Sequence, residues 1–181
     1  MKFALLKCIF YMSLMLTICG CGKNSGETPE LNQDAHKTLN ISIFIRGGGV
    51  EQVNLSSAWE METLKCAKVN FPAGNLNIGH YSQAEQVKRV GGHFEGEILL
   101  DRFSSANCRW ELGGVGIDFI KGKKVMAAYS VALNELMQGR SRHITCLAQS
   151  NNFTGICVLT DQLNDAQKAR ANSYTVDLEI R

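Results

Sequence analysis

Four stretches of this chain alternate apolar and polar residues with a period of two, and no other local pattern constrains its fold as strongly. Leu39, Ile41, Ile43 and Ile45 share one face of Leu39-Arg46, and Phe94, Gly96, Ile98 and Leu100 share one face of a second stretch. Cys108, Trp110 and Leu112 alternate, Gly113-Gly114 shifts the phase, and Val115, Ile117 and Phe119 resume it. At the C-terminus Tyr174, Val176, Leu178 and Ile180 alternate with Thr175, Asp177 and Glu179. Successive side chains leave a strand on opposite faces, so each stretch reads as a strand with one face on a core. The glycine pair at the phase shift predicts a β-bulge or bend. Gly47-Gly48-Gly49 breaks the first strand, and Val50 to Leu55 reads as its return.

Two segments fit two structures each. Ser57-x-x-Glu60 matches a capping box opening a short helix through Lys65, while Trp59 equally suits the end of a strand. Over Lys123-Met137, the residues Val125, Ala128, Tyr129, Ala132, Leu133, Leu136 and Met137 form a helix face stopped by Gly139. Val125, Ala127, Tyr129, Val131 and Leu133 form a strand face after a Lys121-Gly122 turn. The lack of an N-cap residue, and lysines in a first turn where they oppose the helix dipole, favour the strand. Ile144 to Leu159 is the clearest hairpin, turning at Asn151-Asn152. Ser104 to Asn107 carries turn chemistry, and Thr160-Asp161 caps a short helix through Ala171. The sum predicts a mainly β fold, an antiparallel β-sandwich with one to three short helices.

The N-terminus reads as an export signal. Lys2 and Lys7 precede an apolar run from Cys8 to Cys19 that is too short to span a bilayer comfortably. Ile18-Cys19-Gly20-Cys21 follows directly, an aliphatic residue, a small one, glycine and cysteine. This resembles the lipobox of bacterial lipoprotein precursors. The resemblance implies cleavage after Gly20 and lipidation of Cys21, with anchoring through three acyl chains, enough for stable attachment. Gly22, rather than an aspartate, after the cysteine implies the outer membrane, facing the periplasm. The implied division is a signal peptide over residues 1–20, a lipidated cysteine and flexible tether over 21–38, and one β-sandwich domain over 39–181. In the alternative of a eukaryotic secreted chain, Asn40, Asn54 and Asn152 head glycosylation sequons.

Four cysteines remain after the leader and Cys21 are set aside, an even number in an oxidising compartment. Cys146 and Cys157 flank the hairpin and are expected to pair, which leaves Cys66 with Cys108. A structural zinc site is the rival use, but the spacing contains no C-x-x-C pair. Taking Lys2 and Lys7 from the 19 basic residues leaves 17 against 17 acidic ones. A near-neutral chain lacks the basic stripe that phosphate binding needs, so no nucleic-acid partner is expected.

Chemistry-bearing residues are sparse. His36, His80, His93 and His143 stand apart from one another and read as surface or turn residues, and no metal or cofactor is expected. The glycine runs lack the lysine of a phosphate loop, and no Gly-x-Ser-x-Gly elbow occurs. Glu95 and Glu97 fall on the solvated face of a strand. Trp110, beside Cys108 and in phase with Leu112, reads as core. Trp59, if exposed, is a candidate partner contact, and so are Arg140 and Arg142 of a small basic loop. The expected function is a lipid-anchored periplasmic binding protein without catalytic activity, similar in size and anchoring to immunity lipoproteins and periplasmic lysozyme inhibitors. A structural component of an envelope or secretion assembly, and a hydrolase, are the alternatives.

Overall fold

A computed structural model describes residues 29–62, 66–70, 75–77, 79–103, 108–138, 141–148, 154–168 and 172–181. The export signal, Cys21, the Ser104–Asn107 turn, Arg140 and the Asn151-Asn152 turn lie outside the described residues. The strands are β1 (Thr38–Arg46), β2 (Gln52–Met61), β3 (Lys68–Asn70), β4 (Asn75–Asn77), β5 (His80–Glu85) and β6 (Val87–Val90). They continue with β7 (His93–Leu99), β8 (Trp110–Lys121), β9 (Lys124–Ala132), β10 (Arg142–Leu147), β11 (Gly155–Leu159) and β12 (Ser173–Ile180). The described helical pieces are α1 (Leu133–Leu136), α2 (Asp165–Lys168) and a 3-10 turn over Thr160–Gln162.

The fold is mainly β, as the alternation predicts. Ten strands form one sheet in the order β5-β2-β8-β9-β11-β10-β12-β1-β7-β6, and β3 pairs with β4 in a separate ribbon. Every pair in the large sheet is antiparallel except β9 with β11, which meet in parallel at Ala127–Gly155 and Ala128–Ile156. The strands at the two ends of this order, β5 and β6, are consecutive in the chain and separated by Gln86 alone. One segment therefore pairs first with β2 and then with β7, so the sheet folds over into two layers and is nearly closed on itself. Closure removes open edges that would otherwise recruit other chains.

Alternation decides which side chains fill the interior. Ile41 and Ile43 of β1, Leu55 and Trp59 of β2, Ile98 of β7, Ile117 and Phe119 of β8, Ile144 of β10 and Leu178 of β12 are all buried. The layers approach so closely at β7 that a Cβ on Gly96 would lie 2.5 Å from Leu55 Cδ2, so glycine is needed there. The register of β2 with β8 shifts between Ala58 and Trp59, opposite the Gly113-Gly114 pair whose phase shift predicts a bulge. At the β1–β2 turn Gly47, Gly48 and Gly49 all have positive φ, which glycine adopts without strain.

Tertiary context settles the two ambiguous segments. Ser57 and Glu60 lie inside β2, where β8 and β5 flank the strand, so the capping-box helix does not form. Lys124–Ala132 is a strand, and the helical pattern survives only as the single turn α1. Among the described residues from Thr160 to Lys168, the expected helix is reduced to the 3-10 turn and α2. The hairpin forms, with Cys146 directly opposite Cys157. Both bridges have the expected partners, Cys66–Cys108 and Cys146–Cys157.

Tyr174, in β12, is 3% exposed and packs edge-on to Phe119 with ring centroids 5.9 Å apart. Its hydroxyl has no hydrogen-bond partner among the described residues, and burial holds the phenol well above its ordinary pKa. A buried unpaired hydroxyl carries a desolvation cost of about 1–3 kcal/mol that the aromatic ring alone does not. Tyr174→Phe is therefore expected to be neutral or to stabilise by about 1 kcal/mol in urea denaturation. A loss of more than about 1 kcal/mol would show that the hydroxyl has a partner after all.

The chain docks on the domain earlier than its composition suggests, so the expected tether through residue 38 is too long. Pro29 is buried, Leu31 forms a bridge with Phe103, and the Asn32 amide donates to the Arg102 carbonyl at 2.7 Å. The Asp101 carboxylate accepts from the backbone amides of His36 (3.1 Å) and Lys37 (2.9 Å). Partial burial works against its charged form, but those amides, that of Asp101 itself and the His36 ring together hold this carboxyl below its ordinary value of 3.8. A depressed carboxyl contributes stability above its unfolded pKa of about 3.9 and loses it as pH falls through the folded value. The amides of His36 and Lys37 should thus be protected from hydrogen exchange at pH 7 and released only as pH falls through that depressed folded value. Asp101→Ala, which removes the acceptor, should release them at pH 7; protection unchanged by either treatment would rule out the clamp.

Candidate binding face

The inward isoleucines of β1 force Asn40, Ser42, Phe44 and Arg46 outward, onto the exterior of the layer β10-β12-β1-β7-β6. Register then assembles one cross-strand row. His143 faces Asp177, Asp177 faces Phe44, and His93 lies beside Phe44 and opposite Val90. A parallel row carries Glu179, Ser42, Glu95 and Lys88.

Contacts within these rows fix the side chains. The Phe44 and His93 rings stack at 4.6 Å between centroids, and His93 Nε2 is 2.9 Å from Glu95 Oε1. Asp177 joins two side chains, with Oδ2 3.0 Å from Arg46 Nη2 and Oδ1 hydrogen-bonded to His143 Nδ1. Arg46 and His143 remain largely open to solvent, at 75% and 50% side-chain exposure. Exposed ion pairs of this kind contribute only about 0–1 kcal/mol, so their effect is orientation rather than stability. A shallow depression of about 580 Å³ lies between Phe44, Arg46, His143, Asp177 and Glu179. An aromatic ring and an arginine held side by side on a sheet are residue types enriched at protein interfaces.

The residues singled out from sequence lie elsewhere. Trp59 is 1% exposed and is not a contact residue. Its indole Nε1 donates to Ser57 Oγ (2.9 Å), and Ser57 Oγ donates to Glu85 Oε1 (2.5 Å). Glu85 Oε2 accepts from Arg102 Nη2 (2.7 Å), completing a buried chain in which the two charged side chains are 4% and 10% exposed. Phe103 meets the Trp59 ring edge-on at 4.8 Å and the Tyr81 ring at 5.4 Å. This network bridges the seam where β5 and β7 come together without ladder hydrogen bonds, so Trp59 serves closure of the sheet. Arg142 is 12% exposed and paired with Glu135 at 2.9 Å, so it is not the free basic contact that the loop suggests. Trp110 is buried, and Glu95 and Glu97 are exposed, as expected.

Sequence reasoning passes over Phe44 and the histidine–carboxylate pairs. A signal for Phe44 exists: it is the one large apolar residue among the outward positions of β1. The His143–Asp177 pair carries none, because its two residues are far apart in the chain and meet only through strand order. Among the described residues, no three His, Cys, Asp or Glu side chains converge as a metal site, and no helix is long and apolar enough to cross a membrane. Compared with known protein families, with curated proteins and with solved structures, the chain matches none.

Proposed function

We propose that this chain is a lipid-anchored bacterial envelope protein that binds a periplasmic protein without acting on it chemically. Its best-suited role is inhibitor or immunity protein against an envelope-targeting enzyme. The anchor rests on the lipobox-like Ile18-Cys19-Gly20-Cys21 after an export signal, with outer-membrane placement from Gly22. The observation that carries the binding role is the outward Phe44, stacked on His93 and flanked by the Arg46–Asp177–His143 cluster. An aromatic held outside the core, with rotamers limited by its neighbours, loses little entropy when a partner covers it. Two disulfides suit an oxidising compartment.

Affinity capture from detergent-solubilised envelopes, using the full chain tagged after Arg181, tests the reading. Recovery of a lytic enzyme or toxin whose activity falls on binding is expected, and Phe44→Ala/Arg46→Ala should weaken that capture at least tenfold. Recovery of an integral envelope complex, insensitive to those substitutions, would instead establish the structural alternative.

A further inference from the structure

The end of the domain from which the N-terminal chain leaves is also where two of its most exposed large apolar side chains sit. Strand directions define that end. It collects the start of β1, the ends of β2 and β7, the start of β8, and α1 between β9 and β10. The Gly47–Gly49 turn, the β6–β7 turn, the β8–β9 turn and the start of β11 lie at the other. Leu31 is 62% exposed and Met137, just after α1, 64%. Met137 borders a groove of about 590 Å³ floored by Phe103, the bridge partner of Leu31, with Trp110, Leu112 and Leu133. Its charged rim balances, Lys37 and Arg109 against Asp101 and Glu111.

We propose that this end rests on the bilayer, with Leu31 and Met137 in contact with lipid. The inference depends on Cys21 carrying the anchor, and geometry then does the rest. The chain is fixed from Pro29 onward by the Leu31 bridge, the Asn32 bonds and the Asp101 clamp. Only eight peptide steps separate Cys21 from Pro29, a reach of at most about 29 Å. A compact domain of roughly 150 residues has a radius of gyration near 15 Å and is about 40 Å across. A tether shorter than the domain's own width keeps its attachment end toward the membrane. Apolar side chains there can sink into the interface, and a balanced rim makes the contact independent of anionic headgroups. The Phe44–His93 face then stands upright, along the side of the domain, open to a periplasmic partner.

The test uses the lipidated full chain in vesicles of phosphatidylethanolamine and phosphatidylglycerol with brominated acyl chains. Leu31→Trp and Met137→Trp place a fluorophore at the proposed contact, and Ile156→Trp, on β11 at the opposite end, is the control. All three positions are exposed, so folding is spared, and the unsubstituted chain supplies the background of Trp59 and Trp110. Bromolipid should quench the added fluorescence at 31 and 137 at least twofold more than at 156. Equal quenching at the three positions, or none on vesicle-bound protein, would overturn the orientation and leave the anchor intact. Protein that fails to float with the vesicles, or a Cys21→Ser chain that floats equally well, would overturn the anchor and the orientation with it.

Discussion

Arg102→Met is expected to cost about 3–5 kcal/mol. The substitution leaves the Glu85 carboxylate at the seam, 4% exposed, with Ser57 as its remaining side-chain partner. An uncompensated buried charge is expensive, whereas removing both charges abolishes the desolvation cost along with the attraction. The double substitution Arg102→Met/Glu85→Leu should therefore be less damaging than Arg102→Met alone, falling within about 2 kcal/mol of the unsubstituted chain. Urea denaturation of the unsubstituted chain, Arg102→Met, Glu85→Leu and the double variant decides it. If the double variant loses as much as the sum of two single losses, the pair acts independently and does not close the seam by charge complementarity. The location explains the size of the effect. Elsewhere adjacent strands are joined by backbone ladders, but between β5 and β7 the connection falls to side chains, the Glu85–Arg102 pair and the Trp59–Phe103–Tyr81 ring cluster.

Removing the Cys66–Cys108 bridge by Cys66→Ala/Cys108→Ala is expected to cost about 4 kcal/mol, against about 3 for the Cys146–Cys157 pair. Chain-entropy scaling sets the order, because the first bridge closes a separation of 42 residues and the second one of 11. For a domain of this size 4 kcal/mol lowers Tm by roughly 10 °C. The hairpin bridge also joins residues already opposed in the β10–β11 ladder, whereas Cys66–Cys108 ties the chain after β2 to the entrance of β8. Thermal melts of the two double variants test the ordering. A larger loss from the hairpin pair would show that native-state packing of Cys146, which is fully buried, outweighs loop closure.

How much of this was legible in the sequence depended on how local its cause is. The β1, β7, β8 and β12 strands were readable because each buries one face, and a period of two in Ile, Leu, Val and Phe records that burial directly. Strands β5 and β6 were not, because residues 80–90 contain no buried apolar residue: β5 reads half-buried and exposed by turns, and β6 is mostly exposed. Without apolar residues on one face, alternation leaves no trace. Trp59 illustrates the converse error. A tryptophan in a segment that fits both helix and strand looks like a surface anchor until Ser57, Glu85 and Arg102 are seen to gather around its indole. The candidate binding face was hidden almost entirely, since Phe44, His93, His143 and Asp177 come from four strands.

The sequence by itself determined the class of fold and the strand faces, because side-chain periodicity acts over a few residues, and the hairpin pattern favoured the cysteine pairing that the fold then made. Its N-terminal pattern also set the expectation of an anchor at Cys21. Only the tertiary structure decided that β12 lies between β1 and β10, that β9 and β11 run parallel, and that one segment closes the sheet by changing partners at Gln86. It also decided that the N-terminal arm docks from Pro29 onward. Those outcomes rest on contacts between residues distant in the chain, where the competition among pairings is settled by packing of the whole core, and no local pattern encodes it.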